Sequence, residues 1–174
     1  ACDSGEITIV AELEEVFAFE SGLEGWTVGS ELGQGGTADV SQSDVASAGA
    51  HGLTLSIQDP TGTGTVWISH AFDLEAGVAY DVEIFFDLAS QDGVDAWTLL
   101  GSAGPTEPAS PAGLAAVGSL ESTRAGLTFE PRTVTLTGTA GADGSLFVTL
   151  GIAQTTAGTR QYFVDELQVR ATRR

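Results

Sequence analysis

Apolar and polar residues alternate with a period of two through much of this chain, a spacing that fits pleated strands and no helix. In GLTLSIQ (52–58), Leu53, Leu55 and Ile57 fall on one face and their neighbours on the other. TVWISHAFDL (65–74) and VAYDVEIFFDLA (78–89) repeat the pattern across EAG, a connection of hairpin length. LTFEPRTVTLTG (127–138), GSLFVTLGIA (144–153) and RQYFVDELQVRA (160–171) give three long strands near the C-terminal end. Shorter candidates are ITIV (7–10), VFAFE (16–20), WTV (26–28), TADVSQ (37–42), DAWTLLG (95–101) and AAVGSL (115–120), with SAGPTEPASPAG between the last two as the most loop-like stretch. About ten strands with no helix and no internal repeat make the chain all-β: two packed antiparallel sheets, a β-sandwich of jelly-roll type.

A length of 174 residues suits one core and one domain, assigned here to 7–171, with 1–6 as a spacer and 172–174 as a short basic tail. The charge balance is extreme: 24 acidic residues face 6 arginines and no lysine, for a formal charge of −18. That surface repels phosphate backbones and anionic lipid, which excludes nucleic acid as a partner and favours hard cations. The one cysteine, Cys2, rules out an internal disulfide. Ala1-Cys2 before a small polar run resembles the cleavage point of a bacterial lipoprotein. The resemblance implies an acyl tether on Cys2, contact with a membrane only through that anchor, and a place on the periplasmic or extracellular face of the cell envelope; a monomer is expected.

Two carboxylates sit where a charge is costly. In YFVDELQV (162–169) strict alternation places Phe163, Asp165, Leu167 and Val169 on one face, so Asp165 shares the apolar side. A buried carboxylate there needs a base, backbone N–H donors or a metal. Bases are scarce, since only Arg124, Arg132 and Arg160 lie away from the C-terminal end. Glu20, at the end of VFAFE, is a second ligand for a shared cation if the first and last strands are neighbours, and oxygen ligands point to Ca²⁺ over Zn²⁺.

FAFESGLEGW (17–26), AGAHGLTLSI (48–57), FDLEAGVAYDVEIFFDLAS (72–90) and YFVDELQV together resemble the galactose-binding-like jelly rolls. The likeness is greatest to carbohydrate-binding modules of the family 4, 9 and 22 kind. It implies a non-catalytic sugar-binding domain, with a poly- or oligosaccharide as partner. It also implies a structural calcium held by Glu20, Asp165 and a backbone oxygen near Ala50 or His51. Ala18 departs from the pattern, which often has a polar residue there.

Sugar-binding sandwiches stack exposed aromatic rings on pyranose faces. Trp67 is out of phase with Val66, Ile68 and Phe72 and so points away from the core set, which makes it the leading ligand candidate. Trp97, between Asp95 and Leu99 in its alternation, is a second, whereas Trp26 is expected in the core. Val82, Ile84, Phe86 and Leu88 look inward, which leaves Phe85 and Asp87 to join the tryptophans if their face is concave; a loop such as 101–113 covering that face is the alternative. No enzyme is expected. Glu83 and Asp87 lie about 13 Å apart along a strand, too far for a glycosidase pair. His51 and His70 belong to no catalytic arrangement. A structural or adhesive surface domain without a small ligand is the competing function.

Overall fold

The computed structural model describes residues 12–91, 96–121 and 127–174. Among these are eleven strands: β1 (Leu13–Phe17), β2 (Thr27–Glu31), β3 (Thr37–Ser43), β4 (Gly52–Asp59), β5 (Thr65–Asp73), β6 (Ala79–Ser90), β7 (Ala96–Gly104), β8 (Ala115–Glu121), β9 (Glu130–Thr139), β10 (Ser145–Gln154) and β11 (Gly158–Arg173). One 3-10 turn, Pro111–Gly113, is the helical part. The strands form two antiparallel sheets, as the alternation requires. The first has the order β3-β4-β11-β6-β9, with β1 beside the C-terminal half of β11; the second has the order β2-β5-β10-β7-β8.

The core lies between the sheets. Leu53, Leu55 and Ile57 of β4 and Val82, Ile84, Phe86 and Leu88 of β6 face Val66, Ile68 and Phe72 of β5 and Leu146, Val148, Leu150 and Ile152 of β10. Each of these sets is the apolar phase of its strand. Every second residue therefore leaves the core for an outer sheet face.

Three expectations need correction. β1 ends at Phe17 instead of running to Glu20, because Phe19 turns the chain out of the sheet at φ 54°, in the left-handed region. The last residues are no tail: Thr172 and Arg173 continue β11 opposite Asp81 and Tyr80, and Arg174 pairs with Asp81 at 3.1 Å. Acidic neighbours hold this end, and Glu75 and Glu12 raise the pKa of Arg173. The third correction concerns β11. Tyr162 and Val164 face the core, and so do Leu167, Val169 and Ala171. Two inward runs with different parity require an extra residue between them. It is the bulge where pairing with β6 shifts between Asp165 and Gln168, with Glu166 at φ 49°. Asp165 therefore lies with Phe163 on the outer side, not with Leu167 and Val169. ITIV (7–10), Cys2, Asp95 and Arg124 lie outside the described residues.

Candidate functional site

Asp165 is nevertheless fully buried, because the segment before β4 folds over it. Its Oδ2 accepts the N–H of Ser47 (2.7 Å), the Ser47 hydroxyl (3.1 Å) and the N–H of Ala48 (3.0 Å), and its Oδ1 accepts the N–H of Glu166 (2.8 Å). Glu20, itself exposed, holds the next turn of the same segment, its Oε1 accepting the N–H groups of Ala50 (2.8 Å) and His51 (3.3 Å). It rests against Gly49, where a Cβ would lie 1.9 Å from that oxygen. So the two acids do act on one element, and they clasp residues 47–51 to β11 and to the turn that follows β1.

Of the three ways to satisfy Asp165, backbone donors are the one the structure displays. An N–H group cannot ligate a cation, and His51 turns its N–H toward Glu20, with its Nδ1 3.2 Å from the exposed Asp44. Among the described residues no group of three or more His, Cys, Asp or Glu converges. Both carboxylates are thus engaged by N–H groups of the fold.

A second buried carboxylate, Asp59, repeats the device and was not singled out in the sequence. It accepts the N–H of Gly33 (2.9 Å) and the N–H (2.7 Å) and hydroxyl (2.6 Å) of Thr61. The Thr61 hydroxyl first, then the Gly33 N–H, holds its pKa below the ordinary 3.8. The signal that could have found it is QDPTGTG, an Asp two residues before a Thr at a strand end, which favours a local side-chain-to-backbone bond.

The proposed sugar ligands do not meet. Trp97 is 1 % exposed, packs in the core in the phase of Leu99, and makes an edge contact with Tyr162 at 5.8 Å; it is not available to a ligand. Phe85 and Asp87 lie on the outer face of the first sheet, with Arg170 Cζ 5.8 Å from the Phe85 ring centroid. Trp67 lies on the outer face of the second sheet. The two outer faces point away from each other, so no cleft joins these residues.

On the second sheet's outer face, cross-strand register arranges three rows. Gly29, Trp67, Gly151 and Leu100 form one; Thr27, Ser69, Thr149 and Ser102 the next; Ala71, Phe147 and Gly104 the third. The glycines are structural requirements, because a Cβ on Gly29 would lie 2.2 Å from Trp67 Cε2 and one on Gly151 2.9 Å from Trp67 Cβ. The indole therefore lies against the sheet. In the middle row Ser69 and Thr149 share a 2.7 Å hydroxyl hydrogen bond, and Thr27 donates to the Ser69 carbonyl. Phe147, partly exposed, stands between Ala71, which is exposed, and Gly104, where a Cβ would find nothing within 4 Å. Sequence reading missed Phe147. The signal was present, since a ring in the phase opposite to Leu146, Val148 and Leu150 is an aromatic on the solvent side.

Trp67 is 3 % exposed all the same. Residues Pro105–Leu114 cross this face as a strap: Thr27 donates a short hydrogen bond to Glu107 Oε1, and Leu114 Cδ1 reaches within 3.4 Å of the Gly151 Cβ position. The loop expected over the face of Phe85 and Asp87 lies instead on the outer face of the second sheet, the one that carries Trp67. Beside the strap runs an open groove of about 410 Å³ between Gly101–Ala103, Ala115, Val117 and Thr135–Thr137.

No family model and no curated protein matches this chain. Solved structures do. A structure described as showing the promiscuous specificity of carbohydrate-binding modules from the β-sandwich superfamily matches with a TM-score of 0.56 and 15% identity, over 87% of this chain and 59% of that one. The fold is that of carbohydrate-binding β-sandwich modules. The CBM22-1 xylan-binding domain from Paenibacillus barcinonensis Xyn10C matches over 95% of this chain and 97% of its own (TM-score 0.51, 16% identity). The K3 cleaved adhesin domain of Lys-gingipain from Porphyromonas gingivalis matches over 90% and 96% (TM-score 0.57, 13% identity). The chain thus spans about three fifths of the first of these structures and nearly all of the other two. At these identities the likeness is one of fold, and this jelly roll carries both sugar-binding and adhesin domains.

Proposed function

We propose that the chain is a non-catalytic carbohydrate-binding domain whose ligand lies on the outer face of the second sheet. The observation that carries this is Phe147, a partly exposed ring between two small residues and next to a row of hydroxyls. A ring with open flanks accepts the apolar face of a pyranose. The sugar-binding modules that share the fold support the reading.

Affinity electrophoresis in gels containing xylan, β-glucan, galactan, mannan or alginate tests the proposal. Retardation by at least one neutral polysaccharide is expected. Migration unchanged in every gel would move the reading to the adhesive one, for which the gingipain adhesin domains give the structural precedent.

A further inference from the structure

The glycan-binding face is larger than its open part. We propose that Trp67 and the Ser69–Thr149 hydroxyls are a second, covered segment of the same platform, and that the strap Pro105–Leu114 closes over it through a Glu107–Thr27 latch that a glycan displaces. This rests on the glycan-binding reading above and extends it.

Four observations carry the inference. First, the covered rows continue the open one. Trp67 and Ala71 are four residues apart on β5, so the rows of Trp67 and Phe147 lie about 13 Å apart on one face. Second, Trp67 is seated with its ring against Gly29 and its Cβ against Gly151, and two strands give up side chains to let it lie there. A tryptophan needed only to fill space would be expected inside the sandwich, where Trp26 and Trp97 are. Third, the strap is bound to itself more than to the sheet. Its backbone bonds, Gly113 N–H to Ser110 O and Leu114 N–H to Pro111 O, are internal, and a cavity of about 180 Å³ separates Pro105, Thr106 and Pro108 from Ser102–Gly104. Fourth, its polar tie to the far strand is a carboxylate accepting from an exposed hydroxyl, a contact that a sugar hydroxyl reproduces on both partners.

The charges on this face also narrow the ligand. Glu31, Asp73 and Glu107 flank it, whereas every described arginine belongs to β9, β11 or the chain end. Arg132, Arg170, Arg173 and Arg174 are paired with Glu130, Glu14, Glu75 and Asp81. Among the described residues no cation faces the platform. The glycan is therefore one without carboxylate or sulfate groups.

A closed strap lowers apparent affinity by the fraction of molecules that are open, so loosening the latch should tighten binding. In a Cys2→Ser background, three proteins are compared on the neutral polysaccharide that retains the parent and on alginate. They are the parent, Glu107→Ala, and Thr27→Cys/Glu107→Cys joined by a short bifunctional thiol reagent. Glu107→Ala should bind about three- to tenfold tighter, from the loss of one exposed charged hydrogen bond, and the joined protein at least about tenfold weaker. Acrylamide quenching of tryptophan fluorescence should rise in Glu107→Ala and fall in the joined protein, since Trp26 and Trp97 stay in the core of all three. Equal affinities and equal quenching across the three overturn the strap, while retention of the parent by some glycan leaves the general reading intact. If nothing retains the parent, that reading fails, and quenching alone decides the strap. Preferential binding of alginate overturns the ligand class.

Discussion

Asp165→Asn tests the clasp most sharply, because it keeps the shape of the side chain and removes its charge and one acceptor. In the favoured orientation the amide oxygen faces Ser47 and Ala48, and the amide nitrogen is turned on the N–H of Glu166. Three bonds then lose their charge assistance, and one buried N–H loses its acceptor. The lost acceptor costs about 1–3 kcal/mol, and weakening of the others brings the total to about 2–4 kcal/mol. For a domain of this length each kcal/mol lowers the midpoint by about 2–4 °C, so a fall of roughly 4–16 °C is expected in thermal unfolding followed by circular dichroism at pH 7. The wild-type midpoint should not move between added Ca²⁺ and EGTA, since a ligand of the folded state would raise it by mass action. A mutant that melts within about 2 °C of wild type refutes the clasp. A wild-type midpoint that drops on chelation refutes its metal-free form.

Three further outcomes follow from the geometry. Gly29→Ala should destabilise by about 1–3 kcal/mol through overpacking against Trp67, although the same change in an open strand position is neutral or stabilising, so a raised melting temperature would contradict the seating of the indole. Asp59, and likewise Asp143 through the N–H of Ser145, are held below the ordinary 3.8, so the unfolded chain binds their protons more readily. Their contribution is therefore complete above about pH 4 and lost as pH falls through and below 3.8; Thr61→Ala, which removes the largest cause for Asp59, should flatten the melting profile between pH 2.5 and 5, and parallel profiles would count against it. Phe85→Ala should leave glycan retention unchanged, because its ring lies on the opposite sheet under Arg170, and loss of retention would move the site to that face.

The all-β sandwich was legible because period-two alternation fixes which residues look inward, and β4, β5, β6 and β10 follow it without interruption. The face of Trp67 was legible for the same reason. Alternation failed in β11, where a bulge at Asp165–Glu166 changes the phase, and nothing in VDEL distinguishes a bulged pair from a regular one. Trp97 could not be assigned because Asp95 and Leu99 gave conflicting neighbours; its pairing with Gln154 of β10, in phase with Ile152, decides the matter and is a long-range fact. Glu20 and Asp165 are expected from the resemblance to meet near Ala50 or His51 on a shared cation, and in the fold they accept N–H groups from Ser47 to His51. Their partners were not legible, since a backbone N–H and a backbone carbonyl have the same sequence. Phe147 is legible as a solvent-side ring, but its open flanks at Ala71 and Gly104 come from cross-strand register, and the strap's reach to Thr27 depends on the fold alone.

Binding of Phe147→Ala to the polysaccharide that retains the wild type is the most direct measurement on the glycan platform. Truncating a central stacking ring costs about 2 kcal/mol or more, hence roughly a thirtyfold loss of affinity, while partial exposure of the ring leaves the melting temperature close to wild type. Retention equal to wild type in a folded Phe147→Ala protein would contradict a binding face on the second sheet.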